Sequence, residues 1–141
     1  MDCQLCGLDQ TEGFRVVYQN AFALVVVNIE PVKDGHLMVL PVRHTEQLAD
    51  LNADEAREFL QTIDRCIAAL SGKCNETPIC FLNSGKHRTQ AHLHAHVLPS
   101  KGGLRSLFAA AEGTAERRRL DNETLATIAA ELRPLFITKT P

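Results

Sequence analysis

Hydrophobic residues in the first forty positions occur in short runs that are typical of β-strands. Residues 14–19 and 22–28 are rich in Val, Phe and Tyr with a short break between them, which predicts a β-hairpin. Residues 36–41 predict a third strand, which follows a turn marked by Asp34-Gly35. The unbroken apolar run from Leu24 to Val27 predicts that the second strand is buried on both faces.

The spacing of apolar residues changes to three and four in the middle of the chain. This spacing continues from Asn52 to Leu70 and forms one apolar stripe, which predicts an amphipathic helix. Asn52 and Glu55 have the positions of a capping box at its start. Ser71-Gly72 predicts its end.

The second half of the chain returns to strands and then to helices. Residues 78–82 and 91–98 predict two more strands, and residues 104–112 and 122–132 predict two C-terminal helices. Hairpins on both sides of one long helix are typical of an α+β fold. We therefore predict a five-stranded antiparallel sheet with one long helix in residues 1–100. Residues 101–141 are expected to form a helical extension packed on the same domain.

Composition narrows the classes of partner and location. The chain has 141 residues and a formal net charge of −2, which disfavours a broad surface for nucleic acid or anionic lipid. No apolar run approaches the ~20 residues that span a bilayer, and Met1-Asp2-Cys3 lacks the basic flank of an export signal. Five cysteines, an odd number, argue against a disulfide framework. We expect a cytoplasmic protein that binds neither nucleic acid nor a membrane.

Three histidines alternate with apolar residues in the last predicted strand. Side chains in a strand alternate between its faces, so His92, His94 and His96 are expected to line one face. Imidazole nitrogens need hydrogen-bond partners, which makes three of them a poor choice for a packed core. A metal site and a strand of hydrogen-bonded polar residues are alternatives, but the pattern favours a reactive centre.

The run His92-x-His94-x-His96 followed by Val97-Leu98 resembles the signature of the histidine triad (HIT) superfamily. The similarity extends from about Cys3 to Pro99. It includes, in order, Cys3-Gln4-Leu5-Cys6, Asn28-Ile29, Gly35-His36 through Pro41, Arg43-His44 and Asn83-Ser84-Gly85. The resemblance implies a HIT-like fold, a homodimer, and a hydrolase or transferase that binds a purine nucleotide or its derivative. The implied substrates are nucleoside phosphoramidates or dinucleoside polyphosphates, attacked at the α-phosphorus.

The resemblance also implies roles for four histidines. His94 matches the nucleophile, and a neutral imidazole can attack phosphorus to give a covalent nucleotidyl-histidine. His92 and His96 match residues at the phosphate oxygens and in the network that orients the nucleophile, and His36 matches another active-site histidine. This chemistry requires no metal. Two rival interpretations are a nucleotide-binding signalling module with incidental hydrolysis, and a metallohydrolase in which the triplet binds a catalytic ion.

Further residues match the nucleotide site of the family. Asn28 stands where the family usually has an acidic residue at the ribose hydroxyls, and Ile29 and Leu37 match an apolar slot for the base. The alternative for Ile29 and Leu37 is plain core packing. Asn83 and Gly85 match a loop that approaches phosphate.

The loop before the triplet is shorter than in typical family members, and two alignments of it compete. Counting back from His92, Thr89 takes the place of the hydroxyl residue that assists the leaving group, whereas matching glutamine selects Gln90. Arg88 is an additional positive charge suited to a polyphosphate. Its alternative interpretation is a solvated loop cation.

Two cysteines near the start of the chain have metal-ligand spacing. Cys3-x-x-Cys6 lets both thiolates reach one ion but supplies only half a site. The zinc-carrying branch of the resembled family implies that His44 and His92 complete it, with a structural Zn²⁺. Two free thiols at a frayed N-terminus are the alternative.

Overall fold

The sheet contains the five predicted strands in an antiparallel arrangement. In this computed structural model, which describes residues 3–82 and 88–136, the strands follow the order β1-β2-β3-β5-β4. They are β1 (Val16–Gln19), β2 (Ala23–Val27), β3 (Leu37–Pro41), β4 (Thr77–Phe81) and β5 (Ala95–Ser100). Asn83 and Gly85, predicted near phosphate, lie outside the described residues. The predicted α+β fold is confirmed.

The described residues form four α-helices: α1 (Leu8–Thr11), α2 (Ala53–Lys73), α3 (Leu104–Glu112) and α4 (Asn122–Leu132). The chain divides into two compact units, Met1–Leu104 and Arg105–Pro141. In the second unit, α4 is capped by Asp121, whose Oδ1 accepts from the Thr124 N–H at 2.7 Å. The packing of this extension on the first unit stays a prediction.

The predicted capping box starts α2. Asn52 Oδ1 accepts from the Glu55 N–H at 2.9 Å, and Glu55 Oε1 accepts from the Asn52 N–H at 3.0 Å. The predicted end at Ser71-Gly72 is too early, because α2 continues to Lys73. The helix ends where Cys74 takes an extended conformation and its N–H still reaches the Leu70 carbonyl at 3.0 Å.

The two faces of the sheet bury different sets of side chains. One face packs on α2, and its cluster contains Val25, Leu37, Val39, Phe59, Cys66, Leu70, Leu93, Ala95 and Val97. The other face carries Leu24, Val26, Met38 and Leu40, covered by Leu5 and Leu8. β2 contributes to both clusters, which confirms the predicted burial from Leu24 to Val26, whereas Val27 at the end of the strand is exposed.

The last strand differs from its prediction. β5 begins at Ala95 rather than Ala91, so only His96 of the triplet lies in the hydrogen-bonded ladder. The expected alternation nevertheless continues upstream, because Leu93, Ala95 and Val97 all pack on the α2 side. β5 also runs through Pro99, which lies opposite Pro78. Pro78 and Pro99 lack N–H groups, and they fit a non-hydrogen-bonded pair of an antiparallel ladder, in which the two backbone amides point away from each other.

No helix in the described part of the chain is long and apolar enough to cross a membrane. The cytoplasmic location and the absence of nucleic-acid binding stay predictions.

Replacing Asn52 by Ala should lower the free energy of unfolding by about 1 kcal/mol, because the Glu55 N–H loses its cap. Urea unfolding followed by circular dichroism measures this change. Gln61→Ala is the matched control, since Gln61 is exposed within the same helix and the change should stay within about 0.5 kcal/mol. Equal stability of both variants would contradict the capping role.

Candidate active site

Three histidines from separate parts of the chain meet at one cleft. His36, His94 and His96 all line it, and its volume is about 670 Å³. His36 Nε2 lies 2.8 Å from His96 Nδ1, and the rings of His94 and His96 are 5.1 Å apart and nearly perpendicular. The cleft is formed within residues 1–104 and lies on the side of the sheet away from α2.

A glycine brings His36 into this position. Gly35 has φ of +90°, a conformation that side chains other than glycine rarely adopt. A Cβ atom there would also come within 3.0 Å of the Pro99 ring. Pro99 follows the triplet on β5, so this close approach brings the start of β3 against the triplet strand.

The hydrogen bond of His94 determines which of its nitrogens is reactive. His94 Nδ1 lies 2.8 Å from the carbonyl oxygen of His92. A carbonyl only accepts, so Nδ1 carries the proton and donates. The lone pair of the neutral ring is then on Nε2. A buried imidazole with one nitrogen held as a donor matches what a nitrogen nucleophile requires.

Hydrogen bonds also determine the tautomers of His36 and His96. The Val32 N–H donates to His36 Nδ1 at 3.1 Å, so a neutral His36 carries its proton on Nε2. That proton is donated to His96 Nδ1, which leaves the proton of a neutral His96 on its own Nε2. Phe81 stacks on the His96 ring at 4.8 Å. His96 is therefore held as a hydrogen-bond donor at the cleft.

Burial keeps this histidine pair uncharged. It lowers the pKa of His36 below the ordinary 6.5. Burial, together with the neighbouring His94 and His36, lowers the pKa of His96 to about 4. Both rings are therefore neutral at neutral pH, which is the state that the chain of hydrogen bonds from Val32 requires.

Four of the residues predicted to bind a nucleotide line the same cleft: Asn28, Ile29, Thr89 and Gln90. Asn28 Oδ1 accepts from the Glu30 N–H at 2.9 Å, and its Nδ2 lies 4.0 Å from Met38 Sδ, so the amide nitrogen is the donor on the Met38 side. Gln90 Nε2 donates to Gln4 Oε1 at 3.1 Å. Thr89 and Gln90 both reach the cleft, and the choice between their two alignments stays open.

Leu37 does not line the cleft. Neighbouring residues in a strand point to opposite faces, so Leu37 packs with Val25 and Leu70 on the α2 side. The alternative of plain core packing applies to it. Met38, two residues after His36, lines the cleft instead, together with Leu5.

Arg88 does not line the cleft either. Its Nη2 lies 3.2 Å from Glu46 Oε2, so its charge is paired within the protein. In this arrangement the Arg88 guanidinium is directed at Glu46 rather than into the cleft, so its predicted contact with a polyphosphate stays a prediction.

Six residues that line the cleft were not predicted as site residues from the sequence: Gln4, Leu5, Glu12, Arg15, Glu30 and Met38. The period-two spacing from His36 was a signal for Met38. Glu12 and Arg15 had no comparable signal, because they precede the first strand and reach the cleft only through the tertiary fold.

The four predicted metal ligands lie together. The ligand atoms of Cys3, Cys6, His44 and His92 are all within 4.8 Å of one another. His92 Nδ1 is 3.5 Å from Cys3 Sγ and 3.4 Å from Cys6 Sγ, and His44 Nδ1 is 3.3 Å from Cys6 Sγ. Zn–S and Zn–N bonds of about 2.3 and 2.0–2.1 Å in a tetrahedron place S and N about 3.5 Å apart. The distances fit a zinc ion.

The second ring nitrogens of His92 and His44 both have polar neighbours outside the cluster, which supports this fit. His92 Nε2 donates to the Pro41 carbonyl at 2.8 Å, which leaves the Nδ1 lone pair directed at the two sulfur atoms. His44 Nε2 lies 3.8 Å from Glu46 Oε1. Metal-binding histidines commonly have such partners on the second nitrogen. His92 therefore contributes its side chain to the cluster and its carbonyl to His94.

The fold and the cleft define a small α+β domain with a histidine-lined site, whose volume of about 670 Å³ is within the range of small-molecule sites. The model of the HIT domain family matches residues 12–103. An uncharacterized HIT-like protein of Mycobacterium tuberculosis is 30% identical over 135 residues, which cover 93% of this chain and 92% of the relative. The chain therefore belongs to the HIT family.

Two further comparisons agree with this assignment. The bis(5'-adenosyl)-triphosphatase of Dictyostelium discoideum is 27% identical over 129 residues, which cover 86% of this chain and 85% of that enzyme. A HIT-family protein of Bacillus subtilis has the same fold, with a TM-score of 0.69 at 18% identity over 99% of this chain and 100% of that chain.

Lowering the pH from 7 should reduce the free energy of unfolding through His36 and His96. The unfolded chain takes up protons near pKa 6.5, whereas folded His96 does so at about 4, so the loss develops between these values. Urea unfolding at successive pH values measures it, and ring NMR signals report the pKa of His96. His96→Gln keeps an acceptor for His36 and should show a shallower pH dependence. A His96 ring that titrates near 6.5 would contradict the prediction.

Proposed function

We propose that this protein cleaves nucleoside phosphoramidates or dinucleoside polyphosphates at the α-phosphorus through a covalent nucleotidyl-His94 intermediate. The observation that carries the proposal is the hydrogen bond from His94 Nδ1 to the His92 carbonyl, which makes Nε2 the nucleophile. The size of the cleft and the family membership support a nucleotide as its occupant. The name of the Dictyostelium relative favours dinucleoside polyphosphates among the substrates.

The reaction takes two displacements. His94 Nε2 attacks the α-phosphorus, a P–N bond forms, and the bond to the leaving group breaks as that group takes up a proton. A water molecule then attacks the same phosphorus and releases one proton, which balances the proton taken up by the leaving group. The P–N bond breaks, its electron pair returns to His94 Nε2, and the nucleotide leaves. The Nε2–H of His96 is the donor we assign to a phosphoryl oxygen, where negative charge increases in each transition state.

The roles of the remaining cleft residues follow from their positions. We assign the Asn28 amide to the ribose hydroxyls and Ile29 to the base, with Thr89 or Gln90 at the leaving group. Asn28 makes these hydrogen bonds without the charge of the usual carboxylate. The placement of Asn83 and Gly85 near phosphate stays a prediction, because both lie outside the described residues.

We further propose a structural Zn²⁺ held by Cys3, Cys6, His44 and His92, with no metal needed for the chemistry. When bound, the ion would tie the start of the chain to the segment that carries His94. The metallohydrolase alternative is disfavoured, because only His92 of the triplet belongs to the cluster while His94 and His96 bond elsewhere. A homodimer is also part of the proposal, and β1 and β4 are the two edges of the sheet at which a second copy could pair.

His94→Asn should reduce turnover of adenosine phosphoramidate or diadenosine polyphosphates by at least about a thousandfold, since the nucleophile is removed. Nucleotide binding, measured by calorimetry, should be retained. Arg57→Ala on the exposed face of α2 is the control and should leave turnover unchanged. Unchanged hydrolysis by His94→Asn would contradict the mechanism. Quenching with detergent at alkaline pH, where the P–N bond survives, should also trap the labelled nucleotidyl-protein, which an incidental binding module would not accumulate.

Purified protein should contain one zinc ion per chain by elemental analysis, and Cys6→Ser should lose it. The variant should also have a lower melting temperature, because metal binding contributes to folding. Cys74→Ser is the matched control, since Cys74 lies outside the cluster, at the end of α2. Equal metal content in the wild type and in Cys6→Ser would contradict the site.

A further inference from the structure

A charged pair in the wall of the cleft has no part in the proposed displacement steps. Arg15 ends a 3₁₀ turn, Gly13–Arg15, directly before β1, and only 8% of its surface is exposed. Its Nη1 lies 2.6 Å from Glu12 Oε2, and its Nε donates to the Val27 carbonyl at 3.0 Å. Both side chains line the same cleft as His36, His94 and His96.

Arg15 and Glu12 each have one polar group that the contacts described above leave available to a ligand. A buried guanidinium is costly unless its charge and its donors are matched. Nη1 and Nε of Arg15 are matched, but within residues 3–82 and 88–136 neither Arg15 Nη2 nor Glu12 Oε1 has a hydrogen-bond partner. The wall of the cleft therefore carries one donor group and one acceptor atom next to each other.

The position of this pair points to the sugar and base end of the cleft. The Val27 carbonyl that anchors Arg15 directly precedes Asn28 and Ile29, the residues assigned to ribose and base. Leu5 and Met38 add apolar wall, which suits the faces of a ring but cannot distinguish its polar substituents. The polar edge of a base would then meet Glu12 and Arg15.

We infer that Glu12 and Arg15 read the edge of a purine base and determine base specificity. The inference rests on the proposed nucleotide function. Glu12 Oε1 accepts an N–H of the base, and Arg15 Nη2 donates to the adjacent acceptor. A 6-aminopurine supplies its N6–H with N1 or N7, and a 6-oxopurine supplies its N1–H with O6. An unsubstituted purine has no N–H on its six-membered ring and leaves Glu12 without a partner.

The expected selectivity is at least about tenfold in kcat/KM against the unsubstituted purine, the effect of one hydrogen bond to a charged group. The test compares phosphoramidates of adenosine, inosine and purine riboside, which share one leaving group. Wild-type protein, Glu12→Ala and Glu12→Gln are assayed with each substrate. Gln10→Ala is the control, because Gln10 is an exposed residue of α1 outside the cleft.

In Glu12→Ala the selectivity should fall toward one, through loss of activity on adenosine and inosine substrates alone. Glu12→Gln should lose selectivity as well. The amide oxygen of the glutamine can accept from Arg15, and its NH2 group then presents a donor to the cleft where Glu12 presents an acceptor. Gln10→Ala should keep the wild-type ratios. Equal activity of wild-type protein on all three substrates would overturn the inference. So would a Glu12→Ala effect that is the same on all three, which is the signature of a structural role for the ion pair.

A binding experiment separates this inference from the proposed function. Calorimetry with the monophosphates of adenosine, inosine and purine riboside requires no turnover. If no phosphoramidate is hydrolysed, the proposed function fails. A tenfold affinity difference that disappears in Glu12→Ala would still support the base reader, and equal affinities would overturn it.

Discussion

The hydrogen bond from His94 Nδ1 to the His92 carbonyl is the interaction on which the candidate site depends. It assigns the lone pair of His94 to Nε2, and it requires the backbone at His92 to be held in place. That backbone is held from two sides, by the Pro41 carbonyl on His92 Nε2 and by the cysteine cluster around His92 Nδ1. A residue outside the β5 ladder thus obtains a defined position from tertiary contacts. His92 therefore connects the candidate metal cluster, through its side chain, with His94, through its carbonyl.

The sheet separates stability from chemistry. One face packs on α2 through Val39, Val97 and their neighbours, while the histidine cleft opens on the other side. Gly35 contributes to the position of His36 in the cleft. Its positive φ and its close approach to Pro99 bring the start of β3 against the triplet strand. The histidines at the cleft are therefore held by the scaffold without belonging to either apolar cluster.

Uncharged hydrogen-bonding groups and one ion pair line much of the described part of the cleft. His36 and His96 are neutral donors and acceptors, and Arg88 is paired with Glu46. On the proposed assignment of Asn28 to the ribose, an uncharged amide stands where the resembled family usually has a carboxylate. Arg15 is paired with Glu12. Preorganised hydrogen bonds are the interactions that the described part of this cleft would offer to a nucleotide.

The sequence by itself determined the elements, the antiparallel sheet, the capping box at Asn52 and the histidine pattern, since strand and helix periodicities are local properties. It also indicated the four-residue metal cluster through family resemblance. It misjudged the start of β5 and placed Leu37 at the cleft, because strand ends depend on pairing partners and the face of a side chain depends on register. Only the tertiary structure brought Glu12 and Arg15 to the cleft and paired Arg88 with Glu46. These contacts join residues whose positions along the chain carry no periodic signal, so they are decided when the chain packs.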